Sequence, residues 1–297
     1  MNTSADTSDR ATRLGERFAD LHRSGTFVMI NVADVGTATA VVEAGAVAIA
    51  TTSGGHAASI GREDAAGEVS LEEHAAHTAV LAGGVEVPCN ADAENGYGHE
   101  PEAMAAAVHA FAAAGAAGIG IEDWSGDPAV GCYDRVLAAE RIAAAVEAAA
   151  TLDRPFVITG RTEILLYGLA GGLDEALTRL QSFAAVGAQC LYAPGAWDLE
   201  TNRVLAAEAG GPINALVPLA AVHPEGRVDF ADEFLHARFN IERYYADRED
   251  ALALQDMLRG GTSDEGRVRV ILSLTGSGQL MIKGFEIDGE RRIDRIW

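Results

Sequence analysis

Asp92 and Glu94 stand two positions apart, and Glu122 follows further on, each at or just past the end of a short apolar run. Two apart on a strand means the same side, provided that the strand continues through both residues. Carboxylates gathered at one place repel each other and retain protons unless a cation lies between them. Hard oxygen donors of this kind suit Mg²⁺, which keeps several of its waters. The competing explanation is plainer: Glu94 and Glu122 pair with Arg161 or cap helices, as acids just past a strand often do.

Other polar groups fall at comparable points. Asp34 follows the first apolar run, Ser53-Gly54-Gly55 the second, Arg161 ends the fifth, and Asn214 lies in the seventh. In parallel α/β folds, chemistry collects at the C-terminal ends of strands and in the loops after them. Polar residues supplied there by several strands make a candidate pocket. His56, beside Gly55, is a candidate for a substrate contact or an acid–base group. His74 and His77, at i and i+3 among acidic neighbours, read as solvated. Cys132 has no adjacent Lys, Arg or His to lower its pKa and reads as packing. Cys89 and Cys190 sit in apolar runs, where cysteine behaves as a small hydrophobe.

The elements that would position these residues alternate. The β-like runs are FVMIN (27–31), AVAIATT (46–52), VEVPCNAD (85–92), AGIGIE (117–122), PFVITGR (155–161), QCLYA (189–193) and PINALV (212–217). Between them lie helical patterns. Ser70 with Glu73 forms a capping box, Pro101 sits near a first helical turn, and Asp134 and Asp174 can cap the helices that follow them. Such alternation predicts a parallel sheet with right-handed crossovers, and the close spacing of the units favours a (β/α) barrel. After about residue 218 the pattern changes. Residues 229–261 read as one or two amphipathic helices. Three strand-like runs follow, with Thr275-Gly276-Ser277-Gly278 and Asp288-Gly289 as hairpin turns.

The chain has 297 residues, 22 basic and 44 acidic, for a formal charge of -22. That field disfavours nucleic acid and anionic membrane surfaces. It also means that an anionic substrate needs an Arg, a metal ion or helix N-termini to hold it. The N-terminal segment has no apolar core of the secretory type, and no stretch reaches the ~18 apolar residues of a membrane span. A soluble, cytoplasmic protein is expected.

NADAENGYG (90–98), GIGIEDW (118–124), TTSGGHAASIGRED (51–64), ITGRTE (158–163) and PINAL (212–216) resemble the isocitrate lyase/phosphoenolpyruvate mutase superfamily. The resemblance runs from about Phe27 to Leu216. It implies a Mg²⁺-dependent TIM-type barrel acting on small 2-oxo or 2-hydroxy acids through an enolate. By the same resemblance Asp92 would coordinate Mg²⁺ directly, while Glu94, Glu122 and Asp64 hold its water shell. Ser53, Gly54 and Gly55 would bind a substrate carboxylate, Arg161 would meet the carboxylate or oxyanion, and Asn214 would line the pocket. Asp34 matches the acid of a Trp-Asp pair in which Ala33 replaces the Trp. The Lys-(Lys/Arg)-Cys-Gly-His loop of the isocitrate and methylisocitrate lyases is absent, and DWSGDPAVGCYDR stands in its place. The mutase-type loop is missing too, so the chain looks closest to the uncharacterised branch.

The expected fold is α/β: a TIM-type (β/α) barrel lacking a normal eighth unit, with a C-terminal helix and antiparallel β-hairpins. The expected organisation is an N-terminal helix (1–25), the barrel (26–218) and an atypical α+β tail (219–297). The expected function is Mg²⁺-dependent carbon–carbon cleavage of a small carboxylic acid, with catalytic roles for Arg161, Glu122 and Asp34. Carbon–phosphorus chemistry on a phosphonate and a non-catalytic, carboxylate-binding barrel are the alternatives. Homo-oligomers remain open.

Overall fold

Each of the seven apolar runs contains a short strand. These are β1 (Val28–Asn31), β2 (Ala48–Ala50), β3 (Cys89–Asp92), β4 (Gly118–Glu122), β5 (Val157–Arg161), β6 (Cys190–Tyr192) and β7 (Ile213–Leu216). The computed structural model describes residues 4–43, 45–196 and 198–216, and beyond them the backbone of 237–241, 268–274, 280–287 and 290–291. Strands β1 to β7 pair in chain order and in parallel. Between β1 and β7 run the helices α2 (Val35–Glu43), α3 (Ser53–Ser59), α4 (Leu71–Gly84), α5 (Ala103–Ala113), α6 (Arg135–Ala150), α7 (Gly172–Ala185) and α8 (Leu199–Glu208). The capping box forms at α4, where Ser70 accepts from the Glu73 N–H and Glu73 from the Ser70 N–H. Asp134 caps α6 by accepting from Val136 and Leu137 N–H.

An eighth strand, β8 (Ala237–Ile241), lies parallel to both β7 and β1 and closes the sheet into a barrel. The eighth position, expected to lack a normal unit, thus holds a strand, while the helix that would complete the unit falls outside the described residues. The segment ARFNI alternates apolar and polar residues with the period of a strand, inside a charge-rich stretch whose wider pattern suits a helix. The unpaired edges of β1 and β7 are satisfied by it. The expected C-terminal helix around it and the expected hairpin turns fall outside the described residues. Further along, β9 (Val268–Leu274), β10 (Leu280–Ile287) and β11 (Glu290–Arg291) pair antiparallel in the order β11-β10-β9.

One end of the barrel is sealed. Helix α1 (Ser4–Leu21) sets Phe18, fully buried, against Phe27, Met29, Ala48, Ala117, Val157 and Cys190, which lie at or near the N-terminal ends of strands. Close approach needs glycine here. A Cβ on Gly118 would stand 2.6 Å from the Val157 carbonyl oxygen and 3.0 Å from the Phe18 ring. Arg10 ties the same helix to the end of α4 through the Ala82 carbonyl at 2.8 Å and the Glu86 carboxylate at 2.9 Å. The opposite end, where β3, β4 and β5 finish on Asp92, Glu122 and Arg161, is left for the site. Truncating the plug should leave that end intact but weaken the fold: Phe18→Ala is expected to lower unfolding free energy by about 3–5 kcal/mol in urea denaturation.

Candidate active site

Asp92 ends β3, and its position is over-determined. Its Oδ2 accepts from the Ser53 N–H at 3.0 Å and the Ser53 hydroxyl at 2.8 Å. Its own N–H donates to the Thr51 hydroxyl at 2.9 Å. Burial alone would raise the carboxyl, but Arg161, the two Ser53 donors and His74 outweigh it and hold Asp92 below the usual carboxylate range. Ser53, expected to cradle a substrate carboxylate, is therefore already bonded to a protein one. Gly54 and Gly55 follow it into α3, and the Gly55 N–H donates to the Thr52 hydroxyl at 3.3 Å.

Arg161 ends β5 directly beside Glu122, the two being register partners across β4 and β5. Its guanidinium faces three carboxylates: Asp92 at 3.6 Å, Glu122 at 3.4 Å, and Glu163, which accepts a hydrogen bond from Nε. Tyr192 lies under it, ring centroid 5.2 Å away. The pairs to Asp92 and Glu122 are longer than hydrogen bonds. Burial nevertheless wins at Glu122, which is pushed well above its ordinary value despite Arg161.

Glu94 reaches the cluster by a different route from the one its spacing suggests. Strand β3 stops at Asp92, and Glu94 adopts a left-handed backbone with φ of 45°. The ladder nevertheless continues: Ala93 N–H donates to Gly120 O at 3.0 Å, and Glu122 N–H donates to Glu94 O at 2.9 Å. Burial, with the charges of Asp92 and Asp64, pushes the Glu94 carboxyl up to about 8. Asp64, exposed in the loop between α3 and α4, is raised as well, first by the protein around it and then by Asp92.

These shifts test the fit of a cation. Five carboxyl groups (Asp64, Asp92, Glu94, Glu122 and Glu163) face the single guanidinium of Arg161, and all but Asp92 are pushed towards holding protons. The donor set is all oxygen and short of positive charge, which is what a hard divalent ion relieves. Among the described residues no three His, Cys, Asp or Glu side chains converge into a ready cage. An ion that keeps most of its water shell needs only one inner carboxylate with others at water distance, so the residues present fit Mg²⁺.

A cleft of about 670 Å³ opens over the cluster, lined among others by Ala65, Glu72, Glu94, Tyr97, Glu122 and Trp124. Below it, Asp92, Arg161 and Asn214 share a cavity of about 20 Å³ with Asn31 and Asn90. The amide oxygens of Asn31, Asn90 and Asn214 are buried without a hydrogen-bond partner. Asp34 is not brought to the cluster. It is exposed, and both of its oxygens accept from Thr37, at 2.8 and 2.9 Å, which makes it the cap of α2. Its type and its place after a strand cannot distinguish a cap from a catalyst.

Sequence reasoning missed several residues. Glu163 pairs with Arg161, and Asp123 accepts from Thr162 at 2.7 Å, from Glu163 N–H at 2.9 Å and from Arg179 at 2.9 Å. Asp123 thus fixes the strand end that carries Arg161. His74, expected to be solvated, lies in the core. His74 is fully buried and bonded to the Tyr97 hydroxyl, and His56 stacks on His77 at 3.9 Å. Burial outweighs the pull of Asp92 and takes His74 down to about 4. The i, i+3 spacing places His74 and His77 on one face of α4; Ala75 and Thr78, rather than the acids, mark that face as the inner one. Cys132 agrees with its reading, since burial and Asp123 push its thiol up and away from thiolate character.

The chain matches the family model described as phosphoenolpyruvate phosphomutase over residues 18–229. It is 34% identical over 118 residues to an oxaloacetate decarboxylase of Paraburkholderia xenovorans, a stretch covering 37% of each chain. It is 33% identical over 135 residues to the 2-methylisocitrate lyase of Escherichia coli, covering 43% of this chain and 44% of the relative. The matched stretches thus span less than half of either relative. A Burkholderia cenocepacia structure, assigned provisionally as a lyase/mutase, superposes with a TM-score of 0.70 at 36% identity, covering 78% of this chain and 82% of its own.

The raised Glu94 carboxyl has a thermodynamic signature without divalent cations. Between its unfolded value of 4.5 and its folded value of about 8, the folded chain holds a proton that the unfolded chain has lost. Stability is therefore fully present below the lower value and falls as pH rises through this window. Thermal melts in chelator should show that fall, with a shallower slope in Glu94→Gln; an unchanged slope would put the proton on another group.

Proposed function

The chain belongs to the phosphoenolpyruvate phosphomutase family, within the isocitrate lyase/phosphoenolpyruvate mutase superfamily, and from this we propose that it is a Mg²⁺-dependent lyase. Its substrate would be a small 2-hydroxy or 2-oxo carboxylic acid, cleaved at a carbon–carbon bond next to the carboxylated carbon through an enolate. The observation that carries the reading is the charge imbalance at the barrel mouth, where one guanidinium faces several carboxyls that burial drives to retain protons.

Asp92 would hold the metal ion directly, with Glu94, Glu122 and Asp64 around its waters. When bound, Mg²⁺ would supply positive charge where an enolate oxygen develops negative charge. The protein's groups prepare the place. Ser53 orients Asp92 through two donors and, with Gly54 and Gly55, is the proposed cradle for the substrate carboxylate. Arg161 presents its charge to the same oxyanion, and its looser pairs to Asp92 and Glu122 can lengthen as a substrate enters. Glu122 balances that charge, and Asn214 offers an unpartnered amide oxygen below it. Trp124, stacked on Tyr167 with ring centroids 4.1 Å apart, lines the cleft. No step is assigned to Asp34.

Carbon–phosphorus chemistry is the second reading, because the matching family is described by a phosphomutase. A Mg²⁺-dependent panel of 2-hydroxy and 2-oxo acids, followed by pyruvate or glyoxylate release, distinguishes the two when phosphonopyruvate is included. Turnover of phosphonopyruvate alone would favour the second reading, and oxalate binding without any turnover would favour a carboxylate-binding barrel. Asp92→Ala is expected to lower Mg²⁺-dependent turnover by about 100-fold or more. Full activity in that variant would remove Asp92 from the metal site.

A further inference from the structure

An enolate formed by bond cleavage needs a proton on carbon, and the loop between β4 and α6 offers no reactive thiol for it, the half-buried Cys132 being pushed up by its surroundings and by Asp123. We propose that Tyr97 is the proton donor of this site and that His74 positions it, an inference that rests on the enolate reading above.

Tyr97 lines the cleft together with Glu94 and Glu122. Burial first, and then the charges of Glu94, Asp92, Glu122 and Asp64, push the hydroxyl up and keep it protonated. The backbone that presents it is costly. Tyr97 has φ of 59°, an outlying conformation for a bulky residue, and Glu94 and Gly96 before it are also left-handed. The surroundings enforce the turn. Arg141, 1% exposed, donates to the carbonyls of Asn95, Gly98 and His99, and the Tyr97 N–H donates to the Asn95 side chain at 3.1 Å. Gly96, with φ of 76°, supplies the left-handed step that a side chain would strain, and a Cβ there would meet the end of the Met104 side chain. Strain maintained this firmly is a mark of a side chain held for a purpose.

The hydrogen bond between His74 and the hydroxyl has a direction. His74 is fully buried, its Nδ1 meets the Tyr97 oxygen, and its Nε2 has no partner among the described residues. A proton on Nε2 would leave a buried N–H orphaned; a proton on Nδ1 leaves only a lone pair unmatched. Orphaned buried donors are the rarer state. The tautomer assigned is thus Nδ1–H donating to the Tyr97 oxygen. The phenolic hydrogen is then not engaged by His74, and the oxygen it leaves is already held by an N–H.

In the step, the O–H bond of Tyr97 breaks and its proton joins the enolate carbon. The electron pair of the enolate C=C becomes the new C–H bond, and the carbonyl re-forms. The phenolate takes a proton from cleft water, which receives the one released from the substrate hydroxyl.

Deuterium exchange at the methyl carbon of pyruvate in D₂O with Mg²⁺ tests the assignment by NMR, because it runs the same protonation in both directions. The wild-type chain should exchange. Tyr97→Phe should lose about 100-fold or more of the exchange while remaining folded by circular dichroism and keeping its Mg²⁺-dependent affinity for oxalate. His74→Asn, whose amide N–H can stand where Nδ1–H stood, should retain more exchange than His74→Leu. Exchange at the wild-type rate in a folded Tyr97→Phe would overturn the proposal and leave the lyase reading in place. Absence of both exchange and acid turnover in the wild type would overturn the enolate reading, and the proposal with it.

Discussion

The mouth of the barrel is built around an electrostatic deficit. Asp92, Glu122 and Arg161 terminate three neighbouring strands, and the register of β4 against β5 sets Glu122 and Arg161 side by side. Glu163, Glu94 and Asp64 add acid from the loops. One guanidinium does not balance them, and burial removes the water that would otherwise screen the repulsion. The protein answers with second partners. Ser53 supports Asp92, and Asp123 pins the chain through Thr162, Glu163 and Arg179. Much of the nearby polar architecture exists to keep like charges together.

Much of this was legible in the sequence. Apolar runs bounded by turn signals locate the strands because a parallel barrel buries both faces of its sheet, so each strand reads as a block. Asp92, Glu122 and Arg161 close such blocks, and their convergence follows from a parallel sheet alone. What was lost has physical reasons. Glu94 joins the cluster through a left-handed turn that no period-2 rule foresees. Asp34 looks identical to a catalytic acid until Thr37 is seen to occupy both its oxygens. Strand β8 hides inside a charged stretch, where a five-residue alternation is too short to outweigh a longer helical pattern.

The histidines teach a related lesson. His56, His74 and His77 come from two helices and meet only through the fold, His56 stacking on His77 while the His77 Nε2 contacts the Ala33 carbonyl oxygen at 2.8 Å. Acidic neighbours in sequence suggested solvent because Glu72 and Glu73 occupy the outer face of the same helix. Alternate faces of one helix can carry opposite fates, and a cluster with so few hydrogen-bond partners is costly unless its rings are useful where they stand.

Helix α1 has a consequence for the order in which the molecule assembles. Phe18 lies near the start of the chain, yet its burial requires Ala117, Val157 and Cys190. The helix must therefore wait for partners that lie 99 to 172 residues further along the chain. Contacts of such sequence separation form late and slowly. Until they do, the amphipathic helix carries its apolar face uncovered, and the floor of the barrel is among the last parts of the protein to exist.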